Sequence, residues 1–329
     1  MNSGDHFIAA KQLYGGSTNQ FSHAFKKFSW QVSFVDHDDF NGFKSAITPK
    51  TKAIFIESLA NPSGIFTDIE KIAAIAHEAG IPLIVDNTMA SPYLVRPIEW
   101  GADIVVHSLT KFIGGHGNSI GGIIVDSGKF PWAQGNFPML NDPSPAYHGM
   151  KIGETFGSIA YIIKARVEGL RDVGTCLSPF NAFLFLQGIE TLGLRMDRHL
   201  ANALKVAEFL QAHGRVDWVA YPTLPGNKYN ALAKKYMPKG AGAVFSFGIK
   251  GGQEAGKKFI NSVKLFSHLA NVGDARSLVI NPASTTHQQL SPEQQKAAGV
   301  MPEMVRLSIG LEDIDDLLWD LDQALGQSA

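Results

Sequence analysis

Two side chains of opposite charge close two apolar runs of this 329-residue chain. Residues 82–85 (PLIV) run into Asp86, and residues 102–106 (ADIVV) run into His107-Ser108-Leu109-Thr110-Lys111. Short unbroken apolar runs read as strands buried on both faces of a parallel sheet. In open α/β sheets ligands gather beyond the carboxyl ends of the strands, so Asp86 and Lys111 are expected to project into one crevice. A lysine amine and a carboxylate held there suit pyridoxal 5'-phosphate (PLP), with the amine on the cofactor's aldehyde carbon and the carboxylate on its pyridinium nitrogen. Ser108 and Thr110 then offer hydroxyls to the phosphate.

The flanking segments are those a parallel sheet requires. Residues 53–57 (AIFIE) read as a buried strand, and Thr67-Asp68-Ile69-Glu70 reads as a capping box that opens a helix. Ile72, Ala73, Ile75, Ala76 and Ala79 repeat at helical spacing, and Gly80 ends the helix. Strand, helix and the strand into Asp86 make a right-handed βαβ crossover. Beyond Lys111, glycines 114, 115, 117, 121 and 122 open a loop, and residues 121–126 read as another strand. This glycine run precedes a strand and opens no helix, so it is not a dinucleotide fingerprint. His116 has no second ligand at a metal spacing, and no metal is expected.

Three further residues admit two readings each. Tyr14, before Gly15-Gly16, lays its ring on a planar ligand or simply occupies a strand-to-helix turn. Asn61, in Asn61-Pro62-Ser63-Gly64, is turn chemistry or a ligand contact. Arg306 interrupts an apolar strand pattern, where a guanidinium needs a salt-bridge partner or a bound carboxylate.

Composition excludes several classes. A net charge of −1 gives no electrostatic case for nucleic acid or an anionic membrane. No apolar run approaches the roughly 18 residues of a membrane span. The first residues carry neither a basic nor an apolar leader segment, and the single cysteine, Cys176, excludes an internal disulfide and reads as a small core residue in a reducing compartment. A cytoplasmic enzyme is the expectation. The chain exceeds the roughly 250 to 300 residues at which one core stops growing, so two lobes are expected.

Residues 130–152 form a connection rich in Pro, Gly and aromatics, expected to line a site or an interface. Ser178-Pro179 starts a helix whose body, 181–195, is apolar on most faces and is expected to be buried between the lobes. The second lobe is expected from about Met196, with a helix over 197–213, strands over 216–221 and 243–249, a helix over 256–263, an N-cap at Ser291-Pro292-Glu293-Gln294 and a last helix over 313–325.

The order of groups resembles the Cys/Met-metabolism family of PLP enzymes, O-acetylhomoserine sulfhydrylase branch. It rests on Asp86-Asn87-Thr88, Ser108-Leu109-Thr110-Lys111 and Gly114-Gly115-His116, with Leu13-Tyr14-Gly15-Gly16-Ser17-Thr18 upstream and Arg306-Leu307-Ser308 downstream. For the branch it rests on residues 177–183, residues 235–240 and the 130–152 insertion. The resemblance implies fold type I, an aspartate aminotransferase-like α/β architecture. Residues 1–195 would form the mostly parallel PLP-binding domain and residues 196–329 a smaller α+β domain. It implies that Tyr14 stacks on the cofactor ring and that Asn61 lies beside its phenolate oxygen. Arg306 would bind the substrate α-carboxylate, with Ser277 near the same group.

The activity implied is γ-replacement: O-acetyl-L-homoserine and sulfide give L-homocysteine and acetate. Cystathionine γ-synthase and methionine γ-lyase share every residue named, so they remain rivals. Homo-oligomers with shared active sites are implied as well. The family carries upstream a glycine-bearing phosphate loop and a Tyr/Arg arm that this sequence does not show, which makes a fragment of a longer chain the expectation. A non-catalytic oligomerisation partner is the rival of another class.

Overall fold

The computed structural model describes residues 1–61, 64–286, 288, 293, 295 and 299–328. The thirteen strands of these residues are β1 (His6–Ala10), β2 (Gln31–Val35), β3 (Thr51–Glu57), β4 (Leu59–Ala60), β5 (Ile65–Phe66), β6 (Leu83–Asp86), β7 (Ile104–Ser108), β8 (Gly122–Asp126), β9 (Val216–Ala220), β10 (Val244–Ile249), β11 (Ser267–His268), β12 (Leu278–Ile280) and β13 (Met304–Ser308). The first sheet has the order β2-β1-β3-β6-β7-β8, parallel except for β8 against β7. The second, β11-β12-β13-β10-β9, is antiparallel apart from the short β11–β12 pair. β4 and β5 pair as a small hairpin.

β1 and β3 are almost wholly buried, as unbroken apolar runs require. The crossover expected from the sequence is present: β3 and β6 are parallel neighbours joined through the helix Ile69–Glu78. Its cap is Asp68, whose side chain accepts from the Lys71 N–H, and not the expected Thr67. Gly80 follows at φ +65°, where a Cβ would be strained.

Ser178 accepts from the Asn181 N–H and starts the helix Pro179–Glu190, with the proline at its first position. The chain then breaks at Thr191 and begins the long helix Leu192–Ala212, where the sequence suggested helices over 181–195 and 197–213. The first of these helices is not buried between lobes. Only Phe185 and Gly188 are buried, while Phe180, Phe183, Leu186 and Ile189 stand 68, 54, 63 and 48% exposed. A helix that is apolar all round needs cover on every side, and the sequence does not say whether its own chain supplies it.

Residues 130–152 turn their apolar side chains inward. Phe130, Trp132, Leu140 and Ile152 pack with Ile104 and Ala160 into a satellite core on the sheet face. Cys176 is exposed, against the expectation of a core position. The last helix runs Ile314–Gln327 behind the cap Asp313. The cap expected at residues 291–294 and the Pro62-Ser63 turn lie outside the described residues, except Glu293.

Candidate active site

The carboxyl ends of β3, β6 and β7 meet where the sequence places the chemistry. Asp86 ends β6 and lies in register beside Glu57, which ends β3. The Thr88 N–H donates to Asp86 Oδ1 at 2.9 Å, and Thr88 Oγ1 accepts from the Ser108 N–H at 2.8 Å. Asn87 between them is fully buried and structural, accepting from the Ser58 hydroxyl and donating to the Val95 carbonyl. The Asp-Asn-Thr triplet therefore leaves one side chain, Asp86, for a ligand, while Thr88 ties β6 to β7 and Asn87 ties it to the segments at Ser58 and Val95.

Lys111 and Arg306 close the other side. Lys111 Nζ donates to Asn271 Oδ1 at 2.5 Å, Arg306 Nη2 donates to the Asn271 carbonyl at 3.0 Å, and Arg306 Nη1 reaches Asn61 Oδ1 at 3.4 Å. The Asn61 N–H faces Glu57, and Glu57 Oε1 accepts from the Tyr14 N–H at 2.5 Å. The contacts thus run in a closed circuit: Lys111, Asn271, Arg306, Asn61, Glu57, Asp86, Thr88, Ser108 and back to Lys111, whose N–H bonds the Ser108 carbonyl. Tyr14, joined to the circuit through its N–H, is 57% exposed.

The charges inside this circuit are uncompensated. Among the described residues neither Lys111 nor Arg306 has a carboxylate in ion-pair range, and Arg306 Nε is buried with no partner. Burial pushes Arg306 down to about 10. Lys111 is lowered by burial first and by the Arg306 charge second, which favours its free amine. On the opposite side burial raises both carboxyls, and Asp86 pushes Glu57 further. A buried cation without an anion, facing a carboxylate without a cation, fits a ligand that brings a carboxylate at one end and a ring N–H⁺ at the other. Asp86, Lys111 and Arg306 are in this sense suited to PLP and an amino acid.

The hydroxyl of Thr110 is engaged with the Gly121 backbone, accepting from its N–H at 3.2 Å and donating weakly to its carbonyl at 3.4 Å. That long donation is the part an anion could redirect. Ser108 is half-buried at the end of β7. Ser277 does not fit its expected role. It is fully buried, its hydroxyl donates to Glu312 at 2.8 Å and accepts from the Gly310 N–H, and its N–H also bonds Glu312. No donor remains for a carboxylate.

Two members of the circuit escaped the sequence reading. Glu57 looked like the end of a strand, and Asn271 lies 160 positions from the lysine it holds. The loop after Lys111 has a further anchor in Arg195, buried, donating to the carbonyls of Phe112 and Ile113 at 2.6 and 3.1 Å and of Gly188 at 2.5 Å. On the same helix face His199 bonds the Ile309 carbonyl, and Asn202 those of Gly310 and Glu312. A cavity of about 480 Å³ lies elsewhere, near the amino ends of the strands by Pro82, Ile84 and Ile104. Among the described residues no group of His, Cys, Asp and Glu could hold a metal, and no helix is long and apolar enough to cross a membrane.

The chain is similar to known proteins in sequence and in fold. The chain is 54% identical to an O-acetyl-L-homoserine sulfhydrylase of Leptospira meyeri, over 99% of this chain and 76% of that protein. It is 51% identical to a homocysteine synthase of Schizosaccharomyces pombe, over 98% and 76%. A crystal structure from Campylobacter jejuni, described as an O-acetylhomoserine (thiol)-lyase with N'-pyridoxyl-lysine-5'-monophosphate, superposes with a TM-score of 0.94 at 41% identity, covering 99% of this chain and 78% of that one. A cystathionine gamma-lyase from Lactobacillus plantarum complexed with L-serine superposes at 0.83 and 34% identity. Residues 1–326 match the family described as Cys/Met metabolism PLP-dependent enzyme. The chain belongs to that family.

Proposed function

We propose that the site formed by Asp86, Lys111 and Arg306 carries out γ-replacement on O-acetyl-L-homoserine by sulfide, releasing acetate and giving L-homocysteine. The chain is a PLP-dependent enzyme of the O-acetylhomoserine sulfhydrylase type. The observation that carries the residue assignment is the closed circuit with an uncompensated Lys111 and Arg306 on one side and Asp86 on the other.

PLP, when bound, supplies the electron sink that lets protons leave the carbons next to the amino group. Asp86 would hold the ring nitrogen's proton, Ser108 and Thr110 would take the phosphate, and the Tyr14 ring would cover one face of the cofactor. Arg306 takes the substrate α-carboxylate, which fixes the orientation of the Cα–H bond. Lys111, favoured as a free amine by burial and by Arg306, accepts the Cα proton. A second proton leaves Cβ as acetate departs from Cγ, sulfide adds at Cγ, and protons return to Cβ and Cα, Lys111 giving back the one it took. Residues 1–195 form the PLP-binding domain and residues 196–329 the smaller one, and the enzyme works in the cytoplasm as a homo-oligomer with shared sites.

Replacing Lys111→Ala removes the amine, and both the visible absorbance of bound PLP and turnover are expected to vanish. Wild-type turnover in that variant would overturn the assignment. Homocysteine formation with sulfide, compared with product formation from cysteine or methanethiol, separates this activity from that of cystathionine γ-synthase and methionine γ-lyase.

A further inference from the structure

Glu57 is the one buried carboxyl of the site to which the mechanism above gives no work. It is 3% exposed at the end of β3, beside Asp86 in register, and no cation lies within ion-pair range among the described residues. A carboxylate in such a place is costly unless it gives something back. What it makes is a hydrogen bond from the Tyr14 N–H at 2.5 Å, with the Asn61 N–H, far away in the chain, facing the same carboxyl. Tyr14 precedes a single turn, Gly15–Asn19, has no side-chain cap, and carries a ring that is mostly exposed. Asn61 follows the short strand β4 and passes the constraint on, because its Oδ1 accepts from Arg306.

We propose that Glu57 is a positioning residue, a buried acceptor that sets Tyr14 and Asn61 at their places on the rim of the site and, through Asn61, steadies Arg306. The proposal rests on the reading of the site as a PLP and amino-acid site. What Glu57 supplies is an acceptor, and charge has no part in it. Burial and the neighbouring Asp86 both raise the group, which favours the protonated form. Glutamine keeps the shape, the neutrality and the Oε1 acceptor. Alanine keeps the neutrality but neither the shape nor the acceptor.

The test compares Glu57→Gln and Glu57→Ala in the full chain. Amide hydrogen exchange is followed in the PLP-free protein at peptides covering Tyr14 and Asn61, together with PLP titration and the KM and kcat for O-acetyl-L-homoserine. In Glu57→Ala, exchange at both peptides should quicken by about tenfold and PLP affinity should fall by about tenfold, the loss of roughly one hydrogen bond at each. KM should rise more than kcat falls. Glu57→Gln should restore all of these to within about threefold. Unchanged exchange at both peptides in Glu57→Ala overturns the proposal, as does a Gln variant as impaired as the Ala one, which would show that a charge is required. If the wild type itself neither binds PLP nor turns over O-acetyl-L-homoserine, the functional reading fails. The exchange comparison then still decides whether Glu57 holds the two segments.

Discussion

Arg306 is a buried guanidinium with carbonyl acceptors, no anion, and one N–H left unpaired. Removing a hydrogen-bonded buried charge from its ligand costs roughly 2–5 kcal/mol. Arg306→Ala is therefore expected to lower kcat/KM for O-acetyl-L-homoserine by about 100-fold or more, while the spectrum of bound PLP stays, since Asp86 and Lys111 are untouched. Steady-state kinetics beside an absorbance spectrum check both. Asp86 makes a second expectation, in stability. Its carboxyl lies higher in the folded chain than in the unfolded one because of burial. Such a group contributes stability that is complete below the ordinary carboxylate range and is lost as pH rises through the folded value. In the PLP-free protein Asp86→Asn should remove that loss, so its melting temperature should exceed the wild type's near neutral pH and the gap should close as pH falls towards 4. PLP affinity should drop in the same variant. The residues that show in the sequence, Asp86, Lys111, Tyr14, Asn61 and Arg306, do so because each sits in a short pattern with a local cause. Asn271 and Glu57 act through partners distant in the chain, and no spacing marks them. Ser277 misleads for the opposite reason: its pattern resembles the family's, yet Glu312 consumes its hydrogen bonds.

The element that holds the reactive amine is the loop after β7. Gly115 has φ +76°, and a Cβ there would meet the Arg195 guanidinium at 2.2 Å, so the loop and the arginine are fitted to each other. Three carbonyls lose their donor if Arg195 is removed, and each unsatisfied buried group costs roughly 1–3 kcal/mol. Arg195→Met is expected to lower the unfolding free energy by about 3 kcal/mol or more in urea titration, and to weaken PLP binding as residues 112–115 loosen. Gly115→Ala should act in the same direction. The βαβ unit was readable because its periodicities are local and uninterrupted. The break at Thr191 was not, since a continuous apolar stretch carries no mark of where one helix ends and the next begins. Arg195 lies in the first turn of the second helix, and reading 181–195 as one helix concealed its role as an anchor of the loop.

At the scale of the molecule, the exposed face of the helix Pro179–Glu190 is the largest departure from the expected packing. Ile123, Ile124 and Val125 of the edge strand β8 are also 46, 44 and 38% exposed. Exposed apolar side chains of this kind are what contact with another chain would cover. The double variant Phe183→Glu, Leu186→Glu is expected to lower the assembly's mass to that of a smaller species by light scattering, with the far-ultraviolet circular dichroism unchanged, because neither side chain supports the chain's own core. Chain length suggested two lobes but could not say which apolar faces close on themselves.

The long helix Leu192–Ala212 carries Arg195 at one end of a face and His199 and Asn202 further along it. The first grips the backbone next to Lys111, and the others grip residues 309–312, just past Arg306. One stiff rod thereby works as a caliper: the gap between the Lys111 amine and the Arg306 guanidinium is set before any substrate arrives. Every α-amino acid shares the atoms that span that gap, whatever its side chain. Discrimination between homologous substrates must then be made by the walls beyond Cβ, and changing the acyl or sulfur specificity should leave the caliper untouched.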